Sequence, residues 1–173
     1  MPTAPETELA LLRTCYDTLA TLLDREGARF FEKLPGSDWT PAQHAWHVAV
    51  ANGMMFKGIR LLCEGRHPQA RPEGAPNEMG RRVLATGRMP RGRARAPEAV
   101  RPPDTLDITA LREALQRSHQ GLEALAPLLP RLPAVTERAP HPFLGWLSAT
   151  EWLQVARIHT MHHLHIIDEL LGA

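Results

Sequence analysis

At 173 residues, 43% of them hydrophobic, the chain is long enough for one domain to bury a core without disulfide or metal staples. Twenty Lys and Arg against 19 acids leave a net charge of +1, which excludes a polyanion binder driven by bulk charge. Two cysteines, Cys15 and Cys63, form no CxxC pair and exclude a disulfide framework, so a reducing, cytoplasmic setting is expected.

The opening residues Met1 to Glu8 carry two acids and no basic stretch, unlike a secretory signal. Apolar residues at Leu9, Leu12, Tyr16, Leu19, Leu23 and Phe30 then recur at helical spacing and predict a first helix over 6–32. Pro35-Gly36-Ser37-Asp38 is a turn. Thr40-Pro41-Ala42-Gln43 follows as a capping box with proline at the first helical position, opening a second helix that runs to about residue 64, before Gly65. The longest uncharged run, 39–56, holds Gln43, His44, His47 and Asn52, which makes it a poor membrane span.

Residues 66–103 hold seven prolines, nine arginines and three acids, so they cannot form one long helix; a short one is expected near 77–86. A connection this long inside a small domain is usually functional. A third helix is predicted over 107–129 from Leu111, Leu115, Leu122, Leu125 and Leu129, then a Pro- and Gly-punctuated loop over 132–147. The fourth helix, 149–171, carries Trp152, Ala156, His159, His163, Ile166 and Leu170 on one face. No strand-like alternation is visible. The prediction is an all-α fold, a four-helix bundle in one domain over 1–173, with the Pro/Arg-rich connection between helices two and three. That connection is long enough to be a crossover, so the order of the helices stays open.

Chemistry concentrates in the histidines. His159 and His163, four apart, stack on one helix face and can grip one metal ion, and their face is the apolar one that points into the bundle. His47 shares a face with Val50, Met54 and Leu61, which also suggests the interior. Three imidazoles from two packed helices would hold a divalent ion with a coordination position left open, as catalysis requires. By helical spacing His162 and His165 point away from the seam, and His44, His141 and His162 fit the rim of such a site. The sequence lacks a Glu after His159, so it is not the HExxH pattern of zinc proteases, and no general base can be assigned. Cys15 and Cys63 sit on apolar faces, as small core residues do.

Trp39-Thr40-Pro41-Ala42-Gln43-His44-Ala45-Trp46-His47, then His141-Pro142-Phe143-Leu144-Gly145, then Glu151-Trp152 through His159-Thr160-Met161-His162-His163-Leu164, resemble the DinB/YfiT-like superfamily over nearly the whole chain. The resemblance implies a four-helix bundle in which His47, His159 and His163 hold a divalent metal, commonly zinc or nickel. It also implies frequent homodimers and, for some relatives, transfer of low-molecular-weight thiols or thiol-dependent isomerisation. A Gln that often follows the double histidine by three residues is Ile166 here.

The sequence therefore suggests a metal-dependent enzyme, of S-transferase or hydrolase type, acting on a small molecule through a metal-activated thiolate or water. The alternative is a non-catalytic, stress-response protein in which the ion clips helices two and four together. A nucleic-acid contact through Arg91, Arg93 and Arg95 is disfavoured, because residues 66–103 contain no Phe, Trp or Tyr on which bases could stack.

Overall fold

The computed structural model describes residues 3–92 and 95–172. Its helices are α1 (Pro5–Glu26), α2 (Pro41–Cys63), α3 (Glu78–Thr86), α4 (Ile108–Glu123) and α5 (Ala149–Leu171), with two short strands, β1 (Arg138–His141) and β2 (Gly145–Ser148). The long helices begin where local chemistry starts them. Thr40 Oγ1 accepts the Gln43 N–H at 3.1 Å while the Gln43 side chain accepts the Thr40 N–H at 3.0 Å. Ser148 and Glu151 repeat this reciprocal cap at the start of α5, and Asp107 accepts the Ala110 N–H at the start of α4.

Two helices end earlier than their apolar periodicity predicts. Gly27, at φ 53°, stops α1, and the chain continues as a 3₁₀ turn, Gly27–Phe31, that still buries Phe30 completely. Pro127, Pro130 and Pro133 lack the N–H an α-helix needs, so α4 gives way to the 3₁₀ segment Ala126–Ala134.

The bundle is not a simple up-and-down one. α2 packs against both α4 and α5, and α1 closes the ring against α5 and α4, so the order around the bundle is α1, α5, α2, α4. Arg13 pairs with Glu123 and Asp24 with Arg112, which makes α1 and α4 antiparallel. His44 meets His163 and His47 meets His159, which makes α2 and α5 antiparallel. Gln43 reaches Pro103 just ahead of α4, and Phe56 lies against Gly121 near its end, so α2 and α4 run parallel. Two neighbouring parallel helices need a connection that returns the full length of the bundle. Residues 64–107 supply it.

Leu12, Phe56, Leu122, Leu125 and Leu153 fill one half of the interior, and Leu19, Leu23, Val48, Leu111 and Ile167 fill the other. The two halves meet at a polar layer with one residue from each long helix: Tyr16, Asn52, Ser118 and Thr160. The Tyr16 hydroxyl bonds Ser118, and the Asn52 amide donates to Tyr16 at 3.3 Å and to Thr160 at 2.8 Å. Burial pushes the Tyr16 phenol up to about 12. Glu8, 1% exposed, receives Arg157 from α5 at 2.5 Å, a buried ion pair that locks α1 to α5.

The hairpin of β1 and β2 corrects the expectation of no strands. Four residues, one of them Pro140, are too few to show a period of two. The returning connection runs beside it: Arg71 exchanges backbone hydrogen bonds with Arg138, and Trp146 donates to the Ala75 carbonyl at 3.0 Å. Gly145 is required twice over, since its φ is +84° and a side chain there would strike the backbone of residues 75–77. α3 then rests Val83 on Leu147, Val155 and Ile158 of the hairpin and α5.

Candidate metal centre

His47 from α2 meets His159 and His163 from α5, with one ring nitrogen of each within 4.8 Å of the others. The rings are 4.7 to 5.0 Å apart between centres and only 5%, 9% and 8% exposed. The spacing of four stacks the two α5 rings, and the antiparallel packing of α2 brings the third to them.

The face that carries His47 is not the packed interior that its apolar neighbours suggested. Met54, on that face, is 55% exposed, while the side of α2 buried in the bundle carries Ala45, Val48, Phe56 and Ile59. The His47 face is apolar because it walls a cavity of about 470 Å³, lined on its other sides by described residues of the connection within 89–92 and 95–100 and by the turn of the hairpin. The three buried imidazoles line it, as do the exposed Met54 and Phe143.

Hydrogen bonds assign the protons. The Val100 carbonyl can only accept, so His47 Nδ1, 2.7 Å away, carries the hydrogen and Nε2 keeps a lone pair. That lone pair faces His159 Nε2 at 3.0 Å. His163 Nδ1 lies 2.9 Å from Nδ1 of His44, whose Nε2 lies 2.8 Å from the Ser37 hydroxyl. If His163 donates from Nδ1, His44 passes the polarity on to Ser37 and His163 Nε2 is left bare. His159 Nδ1 is buried without a hydrogen-bond partner among the described residues. Trp39, 5.1 Å from His47 and 5.3 Å from His44, covers the cluster from the turn ahead of α2.

Burial pushes all of these rings toward the neutral form: His47 is lowered, His159 and His163 lie well below the ordinary histidine value, and His44 is pushed down to about 4. Neighbouring imidazoles add to the effect at His44, His159 and His163, because each resists a second positive charge nearby.

This donor set fits a divalent ion. The three rings are neutral and converge, and two of them have the far nitrogen held by a protein group, the arrangement that orients ligating histidines. Three nitrogens leave coordination positions facing the cavity. Among the described residues no carboxylate or thiol joins the group.

The remaining candidates fall in different places. His44 lies behind His163, away from the cavity. His141 and His162 line the cavity; burial pushes His141 to about 4, and its Nδ1 accepts the Phe143 N–H at 3.1 Å. Glu151 is occupied by the α5 cap and by Arg138 at 2.7 Å. Cys15 and Cys63 are buried, free thiols raised by burial, and neither lines the cavity. Arg91 is paired with Glu169 at 2.8 Å, Arg95 lines the cavity, and Arg93 lies outside the described residues. Ser37, Trp39 and the Val100 carbonyl were not singled out from the sequence as site groups. Trp39 and Ser37 at least sit in the turn before the capping box, whereas a backbone carbonyl leaves no mark in a sequence.

Fold and site together define a helical bundle with a buried three-histidine cluster able to hold a metal ion. The chain belongs to the DinB superfamily, whose family model matches residues 9–167. Two curated proteins also match in part: large ribosomal subunit protein uL13 of Bartonella henselae and that of Bartonella tribocorum, each 31% identical over 90 residues. The match takes in 49% of this chain, which spans 58% of the length of those relatives. No solved structure matches the chain. No helix among the described residues is long and apolar enough to cross a membrane.

Proposed function

We propose that this chain is a metal-dependent enzyme in which His47, His159 and His163 hold a divalent ion, zinc or nickel, for S-transfer or hydrolysis on a small substrate. The observation that carries this reading is the opening of the three-nitrogen cluster onto a cavity of about 470 Å³, within the size range of small-molecule sites. A bound ion supplies Lewis acidity, which lowers the pKa of a thiol or water to make a nucleophile near neutral pH.

The protein's own groups do the rest. Val100 fixes the ring hydrogen of His47 on Nδ1, and the Ser37–His44 pair gives His163 a place to put its own. Trp39 and the connection's residues 89–92 and 95–100 shield the imidazoles from bulk water, and the apolar walls confine the substrate. A low-molecular-weight thiol as co-substrate, a homodimer and a cytoplasmic location belong to the same proposal. The alternative role, an ion that only clips α2 to α5, calls for a closed set of four ligands; the described residues bring together three.

The test is elemental analysis of protein purified without an affinity tag or added metal, repeated on His159→Ala. One ion per chain, lost in the variant, supports the centre. No ion in the parent protein, and none taken up from added zinc or nickel, overturns it.

A further inference from the structure

Beyond the imidazoles the cavity is chemically one-sided. Its walls are built mainly from Ala51, Met54, Met55, Val100, Phe143 and Trp152, and no Asp, Glu or Lys lines it among the described residues. Arg95, exposed at the rim, is the one permanent charge in that lining. Arg91, four residues earlier, is neutralised by Glu169; no carboxylate of the described residues pairs with Arg95. In the same lining His141 has its Nδ1 occupied by the Phe143 N–H, so the ring hydrogen sits on Nε2, a donor without a partner among the described residues. A largely apolar cavity whose only permanent charge is a cation, with neutral polar groups in its wall, favours an anion or an acceptor and penalises a cation, because apolar walls screen charge poorly.

We propose that the cavity binds largely apolar small molecules that carry an anionic group, with the anion at Arg95 and the apolar body against Met55, Phe143 and Trp152. Strongly hydrophilic or cationic molecules of similar size are rejected. This rests on the reading of the cavity as a substrate site, but it does not depend on whether an ion is bound.

Three probes on one phenylbutyl skeleton separate the possibilities: 4-phenylbutanoate, 4-phenylbutanamide and 4-phenylbutan-1-amine, titrated at pH 7.5 into the full chain. Binding is read by calorimetry and by the fluorescence of Trp39 and Trp152, both of which line the cavity. The titration is run on chelator-stripped and on zinc-treated protein. In stripped protein the acid should bind about five- to tenfold tighter than the amine, with the amide between them. Arg95→Gln, at an exposed position that leaves folding alone, should bring acid and amide to within about twofold and leave the amide unchanged. Met54→Glu, also exposed, should reverse the order in favour of the amine.

The proposal is overturned if no probe binds, if the order is absent in stripped protein, or if Arg95→Gln leaves it unchanged. A preference for the acid that arises only with zinc would mean that the carboxylate seeks the ion and not Arg95, and would overturn it too. Elemental analysis judges the metal centre separately, so the failure of one reading is distinguishable from the failure of the other.

Discussion

His44 gives the sharpest test of how the cluster is organised. Truncation to Ala removes the group 2.9 Å from His163 Nδ1 and breaks the line to Ser37, without touching any of the three proposed ligands. Losing such an outer partner typically lowers metal affinity about 10- to 100-fold. At an ion concentration of about 100 times the parent Kd, bound ion stabilises the fold by about 2.7 kcal/mol. With the Kd raised about 10- to 100-fold, that benefit falls to about 1.4 to 0.4 kcal/mol at the same concentration. For a chain of this size the loss corresponds to roughly 3–9 °C of ion-dependent Tm. Metal-free protein should also weaken, by about 1–3 kcal/mol, because the buried His163 Nδ1–H is left unpaired. The assay is competition with a chromophoric chelator, together with melting with and without zinc. His44→Gln, whose amide oxygen can still accept, should recover part of the affinity. If His44→Ala remains folded and binds zinc within a factor of two of the parent, then His44 does not orient His163 and the proton assignment is wrong.

Removing the Tyr16 hydroxyl as Tyr16→Phe strands the buried Ser118 and should cost about 1–3 kcal/mol in urea denaturation, with most of it regained in the double variant with Ser118→Ala; an unchanged urea midpoint refutes the coupled layer. Glu8→Ala leaves Arg157 buried and unpaired and should cost about 3–5 kcal/mol, whereas Glu8→Leu with Arg157→Met should be far milder; equal losses refute the assignment of the cost to the stranded charge. Acid sensitivity of the metal-free protein should follow the neutral histidines. His141 titrates at about 4 in the fold and near the ordinary value when unfolded, so the unfolded chain binds more protons between those limits. Its contribution is complete above about pH 6.5 and is lost as the pH falls toward 4, and His141→Gln should flatten the urea midpoint against pH by about one proton. Identical slopes for parent and variant would refute the assignment.

Much of this was legible because it is local. The cap of α2 is a four-residue pattern that specifies its own geometry, and the helix starts at the residue the pattern marks; the same kind of cap at Ser148–Glu151 starts α5 but was not read from the sequence. The spacing of His159 and His163 likewise contains its own meaning. What was not legible depends on distant parts. The face of α2 that holds His47 is apolar either as core or as cavity wall, and only the placement of residues 89–92 and 95–100 distinguishes the two. The pairing of His44 with His163 needs the antiparallel register of α2 and α5, and the hydrogen on His47 needs a carbonyl 53 residues away. The parallel run of α2 and α4 was open for the same reason, since length permits a crossover without requiring one. The ends of α1 and α4 were overrun because apolar periodicity persists through 3₁₀ turns that still bury Phe30 and Leu129.

Two of the converging rings sit on α5, and the third lies 112 residues upstream of His159. A growing polypeptide therefore owns a single imidazole of the trio until α5 has been made and has docked beside α2. If the trio holds an ion as proposed, the complete donor set exists only after that event, so the rate at which a refolding sample takes up zinc reports the docking of α5 beside α2, readable without any knowledge of the substrate.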